Sequence, residues 1–242
     1  MVSKGFHEPI EKPRRFYKAV TVEPEGGGFA VRLDGRTLRT PKGAKVSLPT
    51  RPLAELVAEE WAAQTDVIEL ATMHATRLAN TALEAIPAAR EATAQSVAQY
   101  AGADLLCYYA DAPAALQDRQ LEHWGPIVSL AEREIACAFV RASGIIHQAQ
   151  PEETLANIRA LALELDDFRL AGLAFGASLF GSAILVIGVL RGWLSGEQAF
   201  ELSRLDEAYQ EEKWGVDEEA AERTARLTVE ARFLERWFKA LA

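Results

Sequence analysis

LAGLAFGASLFGSAILVIGVL, Leu170 to Leu190, is the stretch whose reading decides the fold. It carries no charged side chain and is long enough to cross a bilayer, so the choice lies between a membrane span and a deeply buried core segment. Gly172, Gly176, Ser178, Gly181, Ser182 and Gly188 favour the second reading. Small residues at this density let helices approach closely, and a glycine at 181 supplies a place to break. Arg169 and Arg191 stand one at each end, so no basic cluster marks a cytoplasmic side. The Gly172/Gly176 pair matches GxxxG, a spacing that also serves soluble packing. The segment therefore predicts two short buried helices meeting near Gly181, in a protein that is not an integral membrane protein.

Downstream, Ser195 to Lys213 reads as one helix, with LDEAYQEEKWG, Leu205 to Gly215, as its acidic and aromatic end. At about 100° per residue, Leu202, Leu205 and Tyr209 share one face and Arg204, Glu207 and Glu211 another. Trp214 and Gly215 are expected to close it, Gly215 as a left-handed cap and the indole packing back on the helices. A last helix runs from about Asp217, with Leu227, Ala231, Leu234, Phe238 and Leu241 as its core stripe.

Upstream, helical spacing extends back to Arg51. Pro52 suits a first turn, followed by Leu53, Leu56, Val57, Glu60 and Trp61. Met73 to Ile86 is a second helix bounded by Pro87, and Ala88 to about Leu106 a third. Pro113 and Pro126 flank a further helical region, and Pro151 marks another start, with helix through Leu163. Before Arg51 the period changes to two. Phe16 to Leu48 alternates as strands do, Asp34-Gly35 is a type I′ hairpin signal, and Gly26 to Gly28 supplies another turn. Phe29, Val31 and Leu33 should face one side. The resulting fold class is α+β: a small antiparallel β-rich N-terminal domain with flanking helices (residues 1–87) and a larger helical domain (88–242).

Composition fits a soluble globular chain of 242 residues, with 49% hydrophobic and 25% charged residues. A net charge of −9 disfavours nucleic acid and anionic lipid as partners and leaves a protein as the expected one. Cys107 and Cys137, with no apolar leader in MVSKGFHEPIEKPRRF, suggest a reducing compartment, both thiols serving as buried small hydrophobes. A bacterial-type cytoplasm is the simplest expected location.

Catalytic patterns are sparse. His7, His74, His123 and His147 form no HExxH or HxxxH pair, so no metal site is expected, and His74 and His123 read as helix or rim residues. No GxSxG elbow, P-loop or strand-linked GxGxxG occurs, so no cofactor is expected either. Asp166/Asp167 and Glu211/Glu212 are adjacent carboxylates that point apart on a helix and solvate a surface. Basic residues in RRFYKAV and RLDGRTLRT are interleaved with aromatics, a pattern that edge-strand solubility explains.

Four motifs in order, LDGRTLRTPKG, TRLANTALE, YAGADLLCYYA and LDEAYQEEKWG, together with VAEEWAAQ at Val57 to Gln64, resemble the assembly chaperone family of the F-type ATP synthase catalytic sector, whose members hold free alpha subunits. The resemblance runs from about Arg15 to Trp237. It implies a two-domain soluble protein that binds the alpha subunit, shields an apolar interface until a beta subunit arrives, and needs no active site. In eukaryotes such proteins would reside in the mitochondrial matrix. The family's important acidic position falls best on Glu207, with Glu211 as fallback and Arg204, Gln210 and Trp214 shaping the same partner-binding surface. Trp61, a large ring at core-facing spacing, is expected as a structural anchor, and Arg77 and Asn80 in TRLANTALE as an interdomain contact or as a local cap or salt bridge. The rival readings are a small-molecule enzyme with an acidic interdomain cleft and a membrane-tethered assembly protein.

Overall fold

The computed structural model describes residues 13–144 and 146–242; His7, Glu8 and Glu11 lie outside the described residues. Two compact units part between Arg77 and Leu78.

In the first unit, strands β1 (Val20–Glu25), β2 (Gly28–Leu33), β3 (Arg36–Thr37) and β4 (Ser47–Leu48) form an antiparallel sheet in which β2 pairs with all the others. Register follows from the turns. Gly26 and Gly27, both at positive φ, close β1 on β2 so that Val22 faces Val31. Asp34 (φ 47°) and Gly35 (φ 78°) make the expected two-residue turn into β3. The Asp34 carboxylate also accepts the backbone N–H groups of Lys18 and Ala19, which explains an aspartate at a position of positive φ.

Helix α1 (Arg51–Ala62) is capped by Thr50, whose hydroxyl accepts from Leu53 N at 3.2 Å. It lays Leu53, Ala54, Val57 and Trp61 against the sheet, where Val31, Leu33 and Leu48 complete the core. Helix α2 (His74–Glu84) starts on a carboxylate supplied from α1: Glu60 accepts from Ala75 N, Thr76 N and Thr76 Oγ1 at 2.6–2.9 Å.

The second unit is helical. Helix α3 (Ile86–Gly102) takes Pro87 into its first turn, where a missing N–H costs nothing, and is kinked at Ala89; it does not begin after the proline. A 3₁₀ turn, Leu105–Cys107, then leads to β5 (Tyr108–Tyr109). In α4 (Ala114–Ile135), Pro126 lies inside the helix instead of flanking it. It sits on an exposed face of the helix, one turn after the exposed Glu122, where a proline is tolerated better than on a packed face. Strand β6 (Ala142–Ser143) pairs in parallel with β5, and α5 (Glu152–Glu164) follows Pro151.

The apolar stretch folds as α6 (Asp167–Phe180) and α7 (Ala183–Leu190), with Gly181 left-handed at φ 64° between them. Asp166 and Ser182 cap the two helices. The small residues make the close approaches expected of them: a Cβ on Gly172 would overlap Phe238, and one on Gly176 would overlap Val186 and Leu234. Every residue from Ala183 to Val189 is buried. Among the described residues no helix is long and apolar enough to cross a membrane.

Ser195 to Lys213 is two helices, α8 (Gly196–Ser203) and α9 (Leu205–Trp214), broken at Arg204 (φ −115°, ψ 20°). The halves pack on different neighbours. Helix α8, opened by a Ser195/Gln198 capping box, packs on α7 and on α10 (Glu218–Ala240), while α9 turns onto α4. A single straight helix could not reach both. Along α10, Ala231, Leu234, Trp237, Phe238 and Leu241 are buried, the expected stripe with Trp237 added and Leu227 at its half-exposed end.

Candidate functional site

Helix α9 is held by few contacts. Leu205 is its one buried residue, and polar bonds to α4 supply the rest of its attachment. Gln120 Nε2 donates to Asp206 Oδ1 at 2.7 Å and Arg119 pairs with Glu212 at 2.8 Å, while Trp124 Nε1 on α4 donates to Leu202 O at 3.0 Å in the last turn of α8, just before the break. Burial raises the Asp206 carboxyl above its ordinary value against the opposing Gln120 bond, whereas the hydrogen bond from Arg119 holds Glu212 low. The Arg119 guanidinium also lies over the ring of Tyr209.

On its other flank α9 borders a groove of about 840 Å³. Leu105, Leu179, Phe180, Phe200 and Leu227 give it an apolar floor; Arg204, Glu207, Glu211, Asp217, Glu219 and Arg223 stand along its rim. Arg204 and Glu211 are tied to each other at 2.6 Å. Glu207 is exposed and, among the described residues, has neither an ion pair nor a hydrogen bond.

The α9–α10 connection carries the most exposed aromatic of this unit. Trp214 is 73% exposed and Val216 59%, with Gly215 between them at φ 89°, ψ 166°. Those angles are not the αL values of a left-handed cap but another positive-φ conformation that suits glycine, and the indole stays in solvent instead of packing back. Gly215 N still donates to Glu211 O at 2.9 Å.

Of the five residues expected on one partner surface, the structure brings Arg204, Glu207 and Glu211 together on the groove. The break at Arg204 leaves their shared face intact. Gln210 is exposed off the groove, and Trp214 stands at the helix tip beyond it. Leu105, Leu179, Phe200 and Arg223 had no signal in the sequence, because each belongs to a different helix or turn and only packing makes them neighbours. Trp61 lies in the first unit, 8% exposed, 5.6 Å from the Tyr17 ring. Its backbone carbonyl accepts from Tyr17 Oη at 2.7 Å.

His123 borders a smaller hollow on the opposite flank of α9, with Arg119, Leu202 and Glu212. Asp104, which the sequence did not single out, is fully buried and accepts from Ser182 Oγ, Ile184 N and Leu106 N at 2.7–3.2 Å. It joins the turn after α3 to the start of α7, and burial pushes its carboxyl up to about 6. Cys107 is buried, as expected, and burial pushes its thiol up; Cys137 is only half-buried, beside Thr154, and both are free thiols. Among the described residues no three His, Cys, Asp or Glu side chains are grouped to hold a metal ion.

Comparison with known proteins agrees with this architecture. A family model described as ATP12 chaperone protein matches residues 14–132. The mitochondrial atp12 protein of Schizosaccharomyces pombe is 27% identical over 228 residues, covering 88% of this chain and 78% of its own. The crystal structure of Atp12 from Paracoccus denitrificans superimposes with a TM-score of 0.89 at 40% identity, over 95% of this chain and 99% of that one. A protein of Agrobacterium tumefaciens gives 0.91 at 37% identity, over 98% and 92%. A domain of paired hairpins, a helical unit built on a broken apolar stretch, and near full-length similarity at 40% identity lead to one conclusion: this chain belongs to the ATP12 chaperone family.

Proposed function

We propose that this protein is an assembly chaperone for the catalytic sector of F-type ATP synthase, and that it acts by holding the free alpha subunit. Half of an obligate subunit interface is a large apolar surface that aggregates until covered, and covering it requires a complementary face and no bond-making step. The observation that carries this reading is the exposed end of α9, a tryptophan and a valine left in solvent, on the helix that also presents, two turns back, the Glu207 carboxylate with no partner among the described residues. Exposed tryptophan is the side chain most often found as an energetic anchor in protein interfaces. Glu207 would meet a cation or amide on the client, Glu211 and Arg204 would set the adjoining wall, and Gln210 and Trp214 would extend the contact outward. On this reading the working location is the bacterial cytoplasm, and no cofactor takes part.

Co-expression with the cognate alpha subunit tests it. The expected result is a stable complex, or a client kept from aggregating, that Glu207→Gln and Trp214→Ala weaken without altering the melting curve. If the alpha subunit aggregates equally with and without this protein, the reading fails; full capture by Glu207→Gln removes that residue from the surface.

A further inference from the structure

We infer that the groove beside α9 receives an apolar segment of the client that carries lysine or arginine; this rests on the alpha-subunit reading above and adds the chemistry of the segment held. The floor sets the first requirement. Leu105, Leu179, Phe180, Phe200 and Leu227 come from four separate elements and leave a trough open to solvent. An unfilled apolar trough is where burying a partner's leucine or valine removes the most surface from water.

The rim sets the second requirement. Four helix ends meet there: α6 finishes at Phe180 and α8 at Ser203, while α9 begins at Leu205 and α10 at Glu218. Each start carries roughly half a positive charge and each finish roughly half a negative one, so the four backbone contributions cancel. Side chains then decide the sign. Glu207, Glu211, Asp217 and Glu219 face Arg204 and Arg223.

Arg204 is already engaged by Glu211, and Asp217 is partly used in capping α10 through Ala220 N. Glu207, Glu219 and Arg223 remain, among the described residues, without an ion pair or hydrogen bond, and outside the Arg204–Glu211 pair the rim carries three carboxylates against one guanidinium. The rim is therefore net negative, and two of its three unpaired charges would take a guest's cation. An acidic or uncharged polar segment would leave those carboxylates unpaired beside an apolar guest, which is the costly arrangement.

The test uses the full-length protein and three labelled twelve-residue peptides, one built from leucine and lysine, one from leucine and glutamate, one from serine and lysine. The expected result is that the leucine–lysine peptide binds at least tenfold tighter than either other peptide and weakens with added salt. Glu207→Lys combined with Glu219→Lys should reduce its binding at least tenfold with an unchanged melting temperature. The same peptide should displace the alpha subunit.

Equal binding of all three peptides, or undiminished binding by the double variant, overturns the inference. So does capture of the alpha subunit that neither the peptide nor the double variant disturbs, an outcome that leaves the chaperone reading standing. Peptide discrimination without any capture of the alpha subunit has the opposite meaning: the groove chemistry holds and the identity of the client falls.

Discussion

Gln120, fully buried on α4, donates from Nε2 to Oδ1 of Asp206 on α9 at 2.7 Å, while its own carbonyl oxygen accepts from Ala110 N at 2.8 Å. One side chain thus fastens the strand end after β5 and the helix that carries the candidate partner surface. Because α9 buries only Leu205, these polar bonds matter more to its position than they would on a well-packed helix.

Replacing Gln120 with alanine leaves Ala110 N–H without its acceptor and a gap in the core. The expected cost is about 2–3 kcal/mol, a fall of roughly 5–10 °C in melting temperature. Amide exchange should quicken in α9 before it does in α7. Uniform exchange across both helices would show that Gln120 does not secure α9.

Asp104 gives a pH signature. Its carboxyl is raised from an ordinary 3.8 to about 6, so the folded state binds the proton more tightly than the unfolded chain. Its stabilising contribution is therefore complete below about pH 4 and declines as pH rises through 6. The stability gap between the natural protein and Asp104→Ala should be widest near pH 4 and narrow by about 2–3 kcal/mol at pH 7. Denaturant titrations at both pH values measure it; a gap that widens with pH would mean that the three hydrogen bonds outweigh burial.

Trp61→Arg places a cation in the core of the first unit beside Tyr17. The expected loss is about 3–5 kcal/mol, with reduced solubility. Trp61→Phe should be far milder, since among the described residues the buried indole N–H has no hydrogen-bond partner to lose. An unchanged melting curve for the arginine variant would remove Trp61 from the core.

Gly196→Ala tests the approach of α8 to α10. A Cβ there would strike the backbone carbonyl of Ala231, which no rotamer change can relieve. A loss of about 2–4 kcal/mol is expected. By contrast Gly125→Ala, where a Cβ would meet nothing, should be neutral or slightly stabilising.

Trp214→Ala should leave the melting temperature within about 1 °C, because little of its surface is covered in the free protein. It should weaken alpha-subunit capture at least tenfold, as loss of an interface anchor does. A large drop in melting temperature would instead reveal a packing role.

Sequence alone determined the elements whose cause is local. Positive φ at Asp34 and Gly35 made the hairpin legible, period two and then 3.6 located the β-rich start and the helices, and Gly181 marked the break in the uncharged stretch. The face shared by Glu207 and Glu211 was legible too, because neighbours on one helix keep their angular relation; Arg204, at the break, joins them through its ion pair with Glu211. Tertiary structure decided the rest. The break at Arg204 depends on α8 and α9 having different partners, which residue spacing does not record. The exposure of Trp214 was not legible either, because whether an indole at a helix end packs back depends on which surfaces lie beside it in the folded chain. The groove exists only because four helix ends and the turn before β5 converge, and its floor residues, far apart along the chain, become neighbours through packing.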